Sequence, residues 1–169
     1  RRYLHRSRAN MRPQIVPHRH LQLAETLITE NEALTVKPYK DQIGKLTIGY
    51  GRNLEDRGIR YNEAELMLAN DIAEAEESLS KEFGFFWGLS DERKAVMIDM
   101  YHNLGLGGLM KFQNMIAAIR VKDWDRAAHE IQDSRYWEQV GVRAQRNYYM
   151  MKFDVFATQE TVTKYFASR

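Results

Sequence analysis

Apolar residues recur at helical spacing from His20 onward, where Leu21, Leu23, Ala24, Leu27 and Ile28 fall in register. The period predicts a first helix over about 20–33, and Pro38 forbids its continuation. Two short β-rich runs follow, Thr35-Val36-Lys37-Pro38-Tyr39-Lys40 and Lys45-Leu46-Thr47-Ile48-Gly49-Tyr50-Gly51, around the turn-like Asp41-Gln42-Ile43-Gly44. They predict a hairpin in which Pro38 is tolerable only on an edge. Beyond the Asp56-Arg57-Gly58 turn, Asn62 opens a helix to about residue 82, with Leu66, Leu68, Ile72, Ala73, Ala75 and Leu79 on one side and carboxylates on the other. Such a helix spans roughly 30 Å, enough to bridge two lobes. Ser90, Asp91 and Glu92 start a further helix that is apolar nearly all round, as a buried central helix would be, and Gly105-Leu106-Gly107-Gly108 is expected to close it. More helices are expected at about 110–120, 123–133, 142–154 and 159–167.

The fold class is therefore α+β and predominantly helical, with two lobes: a small hairpin lobe over about 34–60, a linking helix over about 62–82, and a helical lobe over about 83–169 with the helix 20–33 packed on it. Together these make one unit over 20–169, preceded by an extended arm over 1–19 that shows neither the helical nor the strand period.

Charge sharpens that division. The whole chain of 169 residues carries a formal +2, but residues 1–20 hold six Arg, three His and no acid, so the remaining body is acidic overall, with 19 basic side chains against 23 acidic ones. With no Cys, disulfides, thiolate catalysis and zinc–cysteine sites are excluded. No run of 18 uncharged apolar residues occurs, so stable membrane insertion is not expected, and the first residues lack the apolar core of a secretory signal. Opening on Arg and not Met, the sequence is expected to be a processed product or a piece of something longer.

Chemistry concentrates at Glu32, Asp41 and Thr47. Pro38 forces the chain to bend between the two acids, so a carboxyl at a helix end and a carboxylate at the mouth of a hairpin can point into one cleft, with Thr47 on the returning strand. Glycoside hydrolysis needs a protonated acid on the leaving oxygen and a second group opposite it. Spacing alone leaves open that Glu32 merely ends a helix and Asp41 merely makes a turn. Gly49 and Gly51 either let the backbone pass close to another segment or ligand, or mark a β-bulge.

The run Glu32-Ala33-Leu34-Thr35-Val36-Lys37-Pro38-Tyr39-Lys40-Asp41, followed by Gly44 and Thr47-Ile48-Gly49-Tyr50-Gly51, resembles the N-terminal signature of phage-type lysozymes, the endolysins and muramidases. His102-Asn103-Leu104-Gly105, Phe112-Gln113-Asn114, Trp124-Asp125-Arg126-Ala127-Ala128, Ser134-Arg135-Tyr136-Trp137 and Arg143-Ala144-Gln145-Arg146 resemble the family's later blocks in the same order. The resemblance implies a two-lobed lysozyme-like fold and a muramidase acting on bacterial peptidoglycan. It makes Glu32 the general acid, has Asp41 position or deprotonate the attacking water, and has Thr47 help to hold it. It implies inversion at the anomeric carbon, which suits carboxylates roughly 6.5 to 9.5 Å apart. It also implies that Arg143 supports the catalytic Glu, and that no metal or organic cofactor takes part. The family's saccharide groove falls on Asn53, His102, Met115 and Glu130, with Asn103 beside His102, and Tyr50 is a groove candidate next to the hairpin glycines. Two departures stand out: Ala33 where Gly is common, and Arg52 where His is common.

Other features read more plainly. His18 and His20 lack a third ligand for a metal. Trp124 and Trp137 sit at helical spacing and read as core. The acidic face of the helix 62–82 argues against nucleic acid as a partner, since phosphate binding needs a basic stripe on the folded surface. A monomer is expected. Two alternatives to the muramidase stand: a lytic transglycosylase on the same bond, and a cationic envelope-binding module in which the arm carries the activity. Without a signal, the enzyme is expected either to collect in the host cytoplasm and reach the wall after a holin permeabilises the membrane, or to be delivered from outside by a virion or secretion-linked protein.

Overall fold

The computed structural model describes residues 18–168, so most of the expected arm lies outside the described residues. The chain divides into two compact units, Arg1–Glu63 and Ala64–Arg169.

The first unit opens with α1 (Arg19–Asn31). It ends where Asn31 donates its side-chain amide to the Leu27 carbonyl at 2.7 Å and Glu32 turns extended, its backbone N–H still reaching the Ile28 carbonyl. From there the chain enters a three-stranded antiparallel sheet in the order β1 (Thr35–Lys40), β2 (Leu46–Gly49), β3 (Arg52–Asn53). β1 and β2 pair as Thr35 with Gly49, Tyr39 with Thr47 and Lys40 with Leu46, and the register shifts between Thr35 and Tyr39. Pro38 lies inside that irregularity, where a residue without an N–H interrupts the ladder at least cost. The third strand was not expected; two residues carry no readable alternation. It runs into α2 (Leu54–Arg57), capped by the Asn53 side chain, which accepts the Asp56 N–H at 3.0 Å.

Next, α3 (Tyr61–Glu82) runs from the end of the first unit into the second, matching the long helix expected over 62–82. The second unit is helical: α4 (Asp91–Leu109), α5 (Gln113–Arg120), α6 (Trp124–Gln132), α7 (Arg135–Val140), α8 (Val142–Phe153) and α9 (Gln159–Ala167). α4 is capped by the Ser90 side chain, and α8 packs against α4, α6, α7 and α9. Val96, Met97 and Met100 of α4 are buried with Ile131, Tyr148 and Met151 in the core. The glycine run does not close α4 as expected. Gly105 takes a left-handed φ of 66°, a kink that only a residue without a Cβ adopts cheaply, and helix resumes to Leu109. Trp137 packs edge-on against Tyr148 and Phe166, and Trp124 lies beneath the Arg93 guanidinium at 3.8 Å, so both tryptophans serve packing. None of the described helices is long and apolar enough to cross a membrane.

A polar seam runs between α4, α7 and α8. Arg143 grips Asp99 with two nitrogens, at 3.0 and 2.9 Å. Asn147 divides its amide between Asp99 at 2.8 Å and the Tyr136 hydroxyl at 3.0 Å. Burial, and then the Asp99 charge, push the Tyr136 phenol up to about 12. Because its folded value lies above the ordinary value of about 10, the folded state holds the proton longer, and stability falls as pH rises between those limits. Tyr136→Phe is expected to remove the last step of the tyrosinate absorbance titration and flatten the loss of thermal stability between about pH 10 and pH 12.

Candidate active site

Three elements of the first unit converge on one cavity of about 470 Å³, lined by Glu32, Asp41 and Thr47 together with Lys40, Ile43 and Gly51. The three residues expected to carry the chemistry are thus brought together, and each is placed by an identifiable local cause.

Glu32 follows the last turn of α1, and its fixed point is the backbone N–H on Ile28, which leaves the side chain to face the cavity. Gly51 explains how close the β2–β3 turn comes. A Cβ at that position would stand 3.2 Å from both the Glu32 carboxyl carbon and one of its oxygens, and the residue sits at a φ of +70°. The backbone favours glycine here, and a Cβ would press the Glu32 carboxyl aside by a few tenths of an ångström. Of the two readings of this glycine, close approach to another segment is what the structure displays.

Asp41 opens the hairpin turn. One carboxylate oxygen, Oδ1, accepts the Ile43 N–H at 3.0 Å and the Lys45 N–H at 2.8 Å, while its backbone exchanges bonds with Lys45 and Gly44. The carboxylate is therefore locked by the turn it starts. Thr47, opposite Tyr39 in the register and only 3% exposed, donates its hydroxyl to the Lys45 carbonyl at 3.1 Å. With its one proton committed there, the Thr47 oxygen is left as an acceptor.

Lys40 lines the cavity, but its ammonium is drawn to Glu55 at 2.7 Å, and the same Glu55 oxygen accepts the Leu46 N–H at 3.1 Å. These contacts hold the Glu55 carboxyl below the usual range, first through Lys40 and then through Leu46. Lys45 pairs with Asp56 at 3.1 Å. Two cations close to Asp41 in sequence are in this way turned toward α2.

Arg52, the departure noted above, ion-pairs with Glu63, which also accepts the Arg60 N–H at 2.7 Å. The Arg52 bond, then the Arg60 bond, hold Glu63 below the usual carboxylate range. A depressed carboxylate stabilises the fold above its ordinary value near 4.5, and that stabilisation is lost as pH falls through the folded value. Arg does not titrate, so the pair stays whole at every higher pH. Arg52→His is expected to add a second limb. A paired His has its folded value raised above the ordinary 6.5 or so, so the stabilisation is complete below that point and disappears as pH rises through the raised value. Thermal melting between about pH 5 and pH 9, followed for both proteins, checks this.

In the second unit a groove of about 660 Å³ is lined by Glu130 together with Lys111, Asn114, Arg135, Tyr136 and Gln139. Of the expected groove residues, Glu130 lies there, with Arg126 at 3.9 Å. Met115 does not line it: it is 0% exposed, packed in the core as the inward position of α5, and offers a ligand no surface. His102 and Asn103 are exposed on α4, outside the groove lining. Tyr50 is exposed at the β2–β3 turn, outside the lining of the first unit's cavity, and Asn53 spends its amide on Asp56 as the α2 cap. The partner the structure gives Arg143 is Asp99. Of the residues lining these two cavities, Ile43, Lys111 and Arg135 were not singled out as candidates from the sequence. The basic pair carries no periodic signal; Ile43 could have been found as a β-branched residue in a turn.

Against known proteins, the model of the phage lysozyme family matches residues 29–147, a span that contains Glu32, Asp41, Thr47 and Arg143. Among curated proteins the chain is similar to the pre-baseplate central spike protein Gp5 of Enterobacteria phage T4, with 24% identity over 148 residues, 71% of this chain and 26% of that protein. The chain thus spans about a quarter of the length of this relative.

Proposed function

The chain belongs to the phage lysozyme family, and from that premise we propose that it is a peptidoglycan hydrolase, a muramidase cleaving the β-1,4 bond between N-acetylmuramic acid and N-acetylglucosamine. The observation that carries the reading is the single cavity lined by Glu32, Asp41 and Thr47.

Glu32 gives its proton to the glycosidic oxygen as the bond from that oxygen to the anomeric carbon breaks. A water on the opposite face of the sugar gives one proton to Asp41 and the other bond to Thr47, and its lone pair closes on the anomeric carbon. Two features support these roles. The turn amides bind Asp41 at Oδ1, so Oδ2 is the oxygen that takes the proton. Thr47 has already donated to Lys45, so toward water it accepts. Asp41 releases its proton to solvent, a solvent proton restores Glu32, and the products are two glycan chains, one with a new reducing end. No step calls for a cofactor.

The test is product analysis on purified sacculi. A reducing N-acetylmuramic end, heavier by one water than the 1,6-anhydro form, is expected by mass spectrometry. An anhydro end would make the chain a lytic transglycosylase, and no cleavage would leave the cationic-module reading. As to delivery, similarity to a central spike protein favours a wall-penetrating enzyme carried by a virion over a free endolysin released through a holin.

A further inference from the structure

The turn of the first unit holds a residue that its own fold does not use. Ile43 is 81% exposed, although it sits between Asp41 and Gly44 in a turn closed by the Gly44 N–H on the Asp41 carbonyl at 2.9 Å. Such a turn favours Asp first and Gly last, and asks at the third place for a polar or small residue, not a β-branched one. What the turn uses of Ile43 is its backbone N–H, which binds Asp41 Oδ1. The side chain nevertheless lines the cavity that holds Glu32, Asp41 and Thr47, and it is the one aliphatic side chain among the described residues that do so. The bond from its N–H to Asp41 Oδ1 thus fixes the Ile43 backbone beside the carboxylate proposed to activate water, with the aliphatic side chain open to a ligand. Apart from Gly51 the remaining lining is polar or aromatic, and a bare sugar ring, ringed by hydroxyls, has little that an isolated sec-butyl group could bury.

Resting on the muramidase reading, we propose that Ile43 is a specificity-determining residue that packs against the methyl of a sugar N-acetyl group, so that the cavity distinguishes acetylated from de-N-acetylated glycan. The contact is apolar and is made equally in ground and transition states, so it acts on KM and not on kcat. Its loss is expected to weaken binding about four-fold, the equivalent of one buried methyl group.

The experiment compares Ile43→Asn, Ile43→Ser and Ile43→Leu with the parent on purified sacculi, either intact, chemically de-N-acetylated, or de-N-acetylated and re-acetylated. Binding is read by pelleting in a Glu32→Gln background, which preserves the glycan; KM and kcat are read with Glu32 in place. Asn and Ser suit the turn, so all variants should keep the parent's melting temperature, and Leu keeps the apolar contact whatever the turn prefers. The expected result is a loss of about four-fold in affinity, with a matching rise in KM, for Asn and Ser on intact and re-acetylated sacculi. On the de-N-acetylated form those two should equal the parent, and Leu should stay within about two-fold everywhere. Equal affinities on intact sacculi, or the same loss on both forms, would overturn the proposal. If no reducing ends are released but the binding pattern holds, the hydrolase reading falls and the role of Ile43 stands; if reducing ends are released and the pattern is absent, the reverse is true.

Discussion

Glu32→Gln is expected to slow clearing of chloroform-treated Gram-negative cells by roughly 100- to 10,000-fold while leaving the protein folded. Gln keeps the shape of the side chain and loses the proton that the leaving oxygen needs. The fold does not depend on that carboxyl: the local structure uses the Glu32 backbone, bonded to Ile28, and the close approach of Gly51 is to atoms that Gln reproduces in size. A loss of activity with an unchanged melting curve is therefore the signature of a chemical role. Equal clearing by both proteins would remove Glu32 from the mechanism.

The second large effect concerns stability. Arg93→Met is expected to destabilise the protein by about 3 kcal/mol, lowering its melting temperature by roughly 6 to 12 °C. Arg93 is 8% exposed and joins three helix ends at once. Its guanidinium donates to the Met151 carbonyl at 3.0 Å and pairs with Asp154 at 3.1 Å while lying 3.8 Å above the Trp124 ring. Ser90, the α4 cap, binds the same Asp154, which holds a left-handed φ of 59° at the end of α8. Methionine fills the volume and stacks on Trp124, but it leaves the Met151 carbonyl without the guanidinium donor and Asp154 with the Ser90 hydroxyl and no cation. Asp154→Ala should cost less, because Asp154 is partly solvated and Arg93 keeps its ring and its carbonyl. A midpoint within about two degrees of the parent would show that the Arg93 contacts do not hold these helix ends together.

Much of this was legible in the residues, for reasons that differ along the chain. The long helices were readable because their signals run over many turns: α3 sets an apolar side against carboxylates, and α4 is apolar nearly all round behind its Ser90 start. The hairpin was readable from Pro38, Gly44 and the alternating run through Thr47, which also bring Glu32 and Asp41 to one place. Elements of a few residues were not: β3 and α2 are made by pairing with β2 and by the Asn53 cap, and α7 by packing on α8, none of which leaves a period. Met115 shows a different limit. A position inherited from a resemblance states which residue is aligned, whereas burial is decided by the inward face of α5. Arg52 could be recognised as a departure, but its partner Glu63 lies eleven residues away across a turn and an added helix, a distance that only the folded chain closes. Gly51 was legible as a close approach or a bulge, but not which of the two, nor that what it approaches is Glu32.

The most direct measurement of the central claim, that Glu32 and Asp41 act from opposite faces of one sugar through a water, is the configuration of the first product. Cleavage of a soluble glycan oligomer followed by proton NMR, faster than mutarotation, should show the new reducing end as the α-anomer, inverted from the β-bond. First appearance of the β-anomer, or of a 1,6-anhydro end, would contradict it.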